Sequence, residues 1–262
     1  MPRFLEYLGV DYSGAATADD RLPGLRIYHA TETQEPQEVV PRSSGVTLWT
    51  RRALTGWLAT ALGQSEPVLL GIDHAFSFPK AYFETYSLPP NWSKFLEDFG
   101  RHWPTDQPGV TVESIRRSIA SASSSRTGNS RWRRLTDRRA GAAKSPFHFD
   151  VPGSVAKSTH AGLPWLLHLR TTVGDRIHFW PFDGWSPPPG HHVIAEVYPS
   201  LWKEPPPQAR RTPDQQDAYA ACRWLQAADQ TNRLEAYLCP PVNEADRNLA
   251  QVEGWILGVP TD

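Results

Sequence analysis

Three apolar runs in this chain each close on an acidic residue. Phe4 to Val10 leads into Asp11, Val68 to Ile72 leads into Asp73, and Val193 to Ala195 leads into Glu196. Short continuous apolar runs bounded by turn residues suit strands covered on both faces of a sheet. The first run passes straight into Tyr12-Ser13-Gly14-Ala15, small residues that turn the backbone and leave open space at the strand's carboxyl end. Ligands of open α/β sheets gather at such ends, so the first run is the expected centre of the sheet.

The remaining pattern fills in around these runs. Residues 25–30, between Pro23-Gly24 and Pro36, predict a strand at a hairpin or meander edge. Leu54, Trp57, Leu58, Ala61 and Leu62 recur at helical spacing within 49–62, with Gly63 as a stop. A strand, a helix and a buried strand in that order predict a parallel pair joined by a helical crossover. Pro89-Pro90, Pro104, Pro108 and Gly109 interrupt an irregular insertion at about 80–150, with one helix over 91–103. A helix is predicted from Ala161 to Leu169 with Pro164 in its first turn, where proline is tolerated; Lys157 to His160 then form a polar cluster ahead of it. A strand at 176–182, the stiff connector Pro187 to Gly190 and the third acid-bearing run follow. The helix at 213–226 is well signalled, with Thr212 as cap, Pro213 at its first position and Asp214 in its first turn. A helix near 244–252 and an apolar close at 253–260 complete an α/β chain, read as a single domain over 1–262.

Composition narrows the function classes. A net charge of −1 supplies no global basic field for nucleic acid. Cys222 and Cys239 alone exclude a disulfide-dense scaffold and a four-cysteine zinc site. No apolar stretch reaches the ~20 residues of a membrane helix, and no secretory segment opens the chain. A soluble, reduced, cytoplasmic protein is therefore expected. The 11 tryptophans supply large amphipathic surfaces for core or groove, and Trp180 and Trp185 are candidates to line a groove. One local patch runs against the overall charge: residues 114–144 carry nine basic side chains against Asp137 alone, among serines and glycine. It reads as a basic loop or lid whose Arg131, Arg133 and Arg134 could hold phosphates while Trp132 stacks on a base; the plain alternative is a solvated loop.

The acids carry the chemistry. Strand ends offer Asp11, Asp73 and Glu196, and the capped helix offers Asp214 and Asp217, three apart and so on one face. Carboxylates gathered in one cleft repel unless something neutralises them, and their hard oxygens suit Mg²⁺ or Mn²⁺ rather than zinc. Two such ions about 4 Å apart can drive phosphodiester hydrolysis. Taken singly, each acid also has an ordinary use: a turn, an arginine partner for Glu196, or the helix N-terminus for Asp214.

Gly9-Val10-Asp11-Tyr12-Ser13-Gly14-Ala15 and the stretch from Gly71-Ile72-Asp73-His74 to Phe78-Pro79 resemble motifs of the DUF429 family of predicted nucleases with an RNase H-like fold. Ala195-Glu196-Val197-Tyr198-Pro199, Asp214-Gln215-Gln216-Asp217-Ala218 and Glu253-Gly254-Trp255-Ile256 extend the resemblance in family order. It implies a mixed five-stranded sheet flanked by helices, with metal-binding acids at Asp11, Asp73 and Asp217, joined by Glu196 and Asp214. His74 departs from the small residue that often follows the second acid, and is read with Ser13 as a substrate-binding candidate. The leading expectation is a metal-dependent nuclease in which Asp11, Asp73 and Asp217 bind the ions and Glu196 ligates or orients water. One rival is phosphoryl transfer, because Gly-x-Asp-x-Ser-Gly also resembles the first phosphate loop of actin-like ATPases and sugar kinases. The other is a non-catalytic module that binds nucleic acid or protein.

Overall fold

A computed structural model describes residues 2–42, 45–64, 66–121, 126–202 and 211–261, with only the backbone of 120 and 121. Six strands form one mixed sheet in the order β3-β2-β1-β4-β6-β5. They are β1 Glu6–Asp11, β2 Arg26–Thr31, β3 Gln37–Glu38, β4 Val68–Asp73, β5 Ile177–Trp180 and β6 His192–Glu196. β1 to β3 pair antiparallel, whereas β1, β4, β6 and β5 pair parallel. The expected five strands become six, and the two-residue β3 is too short to leave an alternating pattern in the sequence.

The helices are α1 Arg51–Gln64, α2 Lys80–Thr85, α3 Trp92–His102, α4 Val112–Ser121, α5 Leu135–Arg139, α6 Ala156–Val173, α7 Pro213–Gln230, α8 Leu234–Leu238 and α9 Glu244–Glu253. One face of the sheet, carrying Leu8, Val10, Leu70, Ile72 and Ile194, packs on α1, α3 and α6. The other face, carrying Tyr7, Leu69, Val193 and Ala195, packs on α7. This two-sided cover is why the strands read as continuous apolar runs.

Paired glycines let α7 settle onto the sheet. Gly9 and Gly71 are register partners in β1 and β4. A Cβ on Gly9 would stand 2.3 Å from the Cys222 nitrogen and 2.4 Å from the Ala218 oxygen. A Cβ on Gly71 would stand 2.9 Å from Leu225. Backbone therefore touches backbone along β1, and α7 lies with its first turn over the carboxyl ends of the central strands.

α6 starts earlier than its sequence pattern predicts. Pro164 sits inside the helix rather than in its first turn. A proline there removes the N–H that would serve the carbonyl four residues back. That carbonyl belongs to His160, and the buried Thr105 hydroxyl donates to it at 2.8 Å. Lys157 to His160 accordingly form the opening turn of α6 rather than a segment ahead of it.

Candidate functional site

Asp11 and Asp73 close β1 and β4 as register partners. Strand side chains alternate with period two, so both acids share the face of Gly9 and Gly71, the face that receives α7. Helical spacing carries the same stripe of α7 from Leu225 through Cys222 and Ala218 back to Asp214 at its first turn. The Asp11 carboxyl feels the result: burial, then the charges of Asp73, Asp214 and Asp217, push it up to about 9, against a hydrogen bond from the Tyr12 backbone N–H. Asp11 thus keeps its proton at neutral pH. Among the described residues, no three His, Cys, Asp or Glu side chains are already gathered into a metal-holding group. Mutual repulsion acts against such gathering.

Beside these acids lies a cleft of about 460 Å³ lined by Asp11, Tyr12, Ser13, Gly14, Ala15, Ala16, Gly24, Thr111, Val112, Glu113, Ser154, Lys157, Ser158 and Asp214. Ser13 Oγ and the Asp214 carboxyl flank Gly24, at 3.5 and 3.7 Å from where its Cβ would stand. A Cβ on Gly14 would stand 2.1 Å from the Lys157 carbonyl, so the loop after β1 rests directly on the first turn of α6. Arg51, fully buried, holds this loop from beneath. Its Nη1 donates to the carbonyls of Ser13 at 3.0 Å and Ala15 at 2.7 Å, and its Nη2 to that of Ala16 at 3.1 Å. Ala16 takes a positive φ of 47° in the process. Arg51 carried no signal in the sequence, because backbone carbonyls leave no residue code.

Glu196 does not join Asp11 and Asp214 at this cleft; with Asp73, His74 and Arg134 it lines a separate small cavity. It shares a register row with Ile72, one residue before Asp73, and so points to the opposite face. There Arg134 grips it with two bonds of 2.6 Å, Nη1 to Oε2 and Nη2 to Oε1, and Phe76 N donates at 3.1 Å. Arg134 Nη2 also reaches Asp137 at 2.7 Å. Burial alone would lower the Arg134 guanidinium, but Asp137 and Glu196 outweigh it and hold it raised. Two acids share one cation, so burial still leaves the Glu196 carboxyl above its ordinary range. Glu253 completes the joint by accepting from Lys80 N at 2.6 Å and Leu135 N at 2.7 Å, at the starts of α2 and α5. The expectation that Glu196 orients water is corrected: it is one half of a buried ion pair.

Much of the basic stretch is likewise engaged within the protein. Arg134, expected to hold a phosphate, is 1% exposed. Arg133 donates to the carbonyls of Asp137, Gly141 and Ala143. Arg126 pairs with Asp98, Arg116 with Glu113 and Asp150, and Arg139 with Asp246. Trp132 is half-buried, edge-on to Phe147, and Arg131 is exposed on the turn before it. None of Arg131, Trp132, Arg133 and Arg134 lines the cleft beside Asp11. α4 and α5 occupy part of what read as a loop; residues 122–125 fall outside the described residues.

His74 is 1% exposed, edge-on to Tyr12 with ring centres 4.8 Å apart, and its Nδ1 bonds the Ala75 carbonyl at 2.9 Å. Burial pushes it down to about 4, so it is neutral at physiological pH. Gly162 leaves room for it, since a Cβ there would stand 2.4 Å from Nε2. His74 is thus a packed ring under the site, correcting its reading as a substrate contact. Trp180 and Trp185 are buried rather than groove-lining.

No helix among the described residues is long and apolar enough to cross a membrane. Comparison with protein-family models, curated proteins and solved structures finds no match to this chain.

Proposed function

We propose that the protein is a metal-dependent nuclease of the RNase H-like class, as its resemblance to the DUF429 family implies, hydrolysing phosphodiester bonds in nucleic acid in the cytoplasm. The observation that carries this reading is the register pairing of Asp11 with Asp73 on the face where α7 delivers Asp214 and Asp217. Asp11, Asp73 and Asp217 would hold Mg²⁺ or Mn²⁺, with Asp214 at the mouth of the cleft. Bound there, such ions supply an activated water and stabilise the leaving oxygen. Asp11 would have to give up its proton to hold a cation, so metal binding would tighten as pH rises. Ser13, beside Asp214 at the cleft wall, offers a hydroxyl to the substrate. Arg134 and Glu196, which line a small cavity with Asp73, support the site by fixing α5, β6 and α9 behind it.

The test is cleavage of end-labelled single-stranded and duplex DNA and RNA with Mn²⁺, comparing wild type with Asp11→Asn. The expected result is cleavage by wild type and none by a folded Asp11→Asn protein; equal cleavage by both contradicts the assignment. ATP hydrolysis without nucleic-acid cleavage would transfer the same carboxylates to the phosphotransferase reading.

A further inference from the structure

α7 is aromatic on the side that turns away from the sheet. Ala218, Cys222 and Leu225 pack against the strands, whereas Gln216, Tyr219 and Arg223, three and four apart, share the opposite side with Trp224. An outward helix face is ordinarily polar, yet Tyr219 and Trp224 are part-exposed there, as are Trp202 and Tyr237 beside them. Trp202, in the turn Pro199–Trp202, stacks on Trp224 with ring centres 3.8 Å and planes 7° apart. Tyr237 packs on the Trp224 ring at 5.0 Å. Gly258 lets the pair sit close: a Cβ there would stand 2.7 Å from Trp224 and 3.0 Å from Trp202. The rings are thus held in place, and Trp202, Gln216, Tyr219, Arg223 and Trp224 line a cleft of about 160 Å³.

The charge on this cleft is positive. The Arg211 guanidinium lies over Tyr219 at 3.6 Å and donates to Gln216 Oε1 at 3.4 Å. Arg223 lines the wall, bonds Gln226 at 2.9 Å and meets Glu35 at 3.6 Å. That last pair is 40% and 63% exposed at its side chains, and an exposed pair of this kind is weak enough to yield to another anion. Among the described residues no Asp or Glu lines the cleft. Ring faces with cations beside them match one ligand chemistry, unpaired bases joined by phosphates. A duplex keeps its base faces stacked and offers such a surface its phosphates alone.

We propose that this cleft binds a single-stranded stretch of nucleic acid, a base stacking on its aromatic wall while Arg211 and Arg223 meet the flanking phosphates. The class of ligand rests on the nuclease reading above; the cleft itself does not. Its position agrees with that reading. α7 carries Asp214 in its first turn and Trp224 about 15 Å further along its axis, so a strand laid along the helix leads toward the carboxylates.

The test is fluorescence anisotropy of labelled oligo(dT) and oligo(U) with the protein in EDTA, set against a hairpin duplex and a proline-rich peptide. Saturable binding of the single strands is expected, with quenched tryptophan fluorescence and far weaker binding of the duplex. Tyr219→Ala should weaken single-strand binding roughly tenfold, the size of one lost stacked base. Arg223→Gln should lower the slope of log affinity against log salt by about 0.7, for one lost phosphate contact. If Tyr219→Ala does not fold, Arg223→Gln decides. Single strands that do not bind, a duplex that binds as tightly, or single-strand binding unchanged in either folded variant overturns the proposal, as does binding of the peptide in place of nucleic acid. Strand binding that depends on Tyr219 and Arg223 in a protein that cleaves nothing keeps the cleft and removes the nuclease reading alone. Cleavage by a protein whose strand binding ignores both residues does the reverse.

Discussion

Asp11 and Asp73 are register partners at the carboxyl ends of two adjacent parallel strands, two residues beyond the glycine pair Gly9 and Gly71. The glycines admit the α7 backbone, and the same side-chain parity then aims both acids at the first turn of that helix. One packing decision therefore fixes the fold's centre and crowds its charges.

The crowding sets the stability of the metal-free protein against pH. Asp11 is raised from 3.8 to about 9 in the fold. Between those values the folded protein holds a proton that the unfolded chain has released, so stability falls as pH rises through that window. Thermal melts in EDTA across neutral to mildly alkaline buffers should show this decline. Asp11→Asn should flatten it and raise Tm at alkaline pH by roughly 2–4 °C for each kcal/mol of relieved repulsion. An unchanged slope in the variant would mean that Asp11 is not the titrating group.

Glu196→Ala should act on stability rather than on metal binding. It leaves the buried Arg134 with Asp137 as its one carboxylate partner and strips the Phe76 N–H of its acceptor. Breaking a buried pair in this way costs about 3–5 kcal/mol, measurable as a shift in the denaturant midpoint. Mn²⁺ affinity of the remaining folded protein should match wild type. A stable variant that has lost metal would return Glu196 to the site.

Gly14→Ala tests the contact between the loop and α6. The added Cβ would meet backbone atoms of Lys157 at 2.1 Å and Ser158 N at 2.5 Å, which cannot swing aside as a side chain would. A cost of about 1–3 kcal/mol is expected, together with altered amide shifts across 12–16. Wild-type stability would show that the loop does not rest on α6 as described.

His74 should stay silent in a pH titration. Burial pushes it down to about 4, so its ring resonances should hold their positions from about pH 5.5 to 8, where an ordinary histidine titrates. A midpoint in that range would place the ring in water rather than against Tyr12 and Gly162.

Much of the frame was legible in the sequence. Apolar runs ending in Asp11, Asp73 and Glu196 were strands, and Thr212-Pro213-Asp214 opened a helix, because burial on both faces and helix capping are local requirements. Which face each acid takes was not legible. Glu196 carries the same strand-end signature as Asp73, yet a one-residue offset in register sends it to the other side. The arginines failed as substrate contacts for a related reason. A charge announces that it needs a partner without naming it, and Arg139 finds Asp246, and Arg134 finds Glu196, far along the chain. Arg51 was invisible, since carbonyls answer it, and Pro164 misplaced the start of α6, since the Thr105 hydroxyl that tolerates it lies in another segment.

The account turns on whether the four carboxylates share a cation, and anomalous diffraction from crystals grown with Mn²⁺ reads this directly. It predicts a peak bounded by Asp11, Asp73 and the first turn of α7, lost in crystals of Asp11→Asn. Strong Mn²⁺ peaks elsewhere with none between these residues, or a peak that survives in Asp11→Asn, would contradict it.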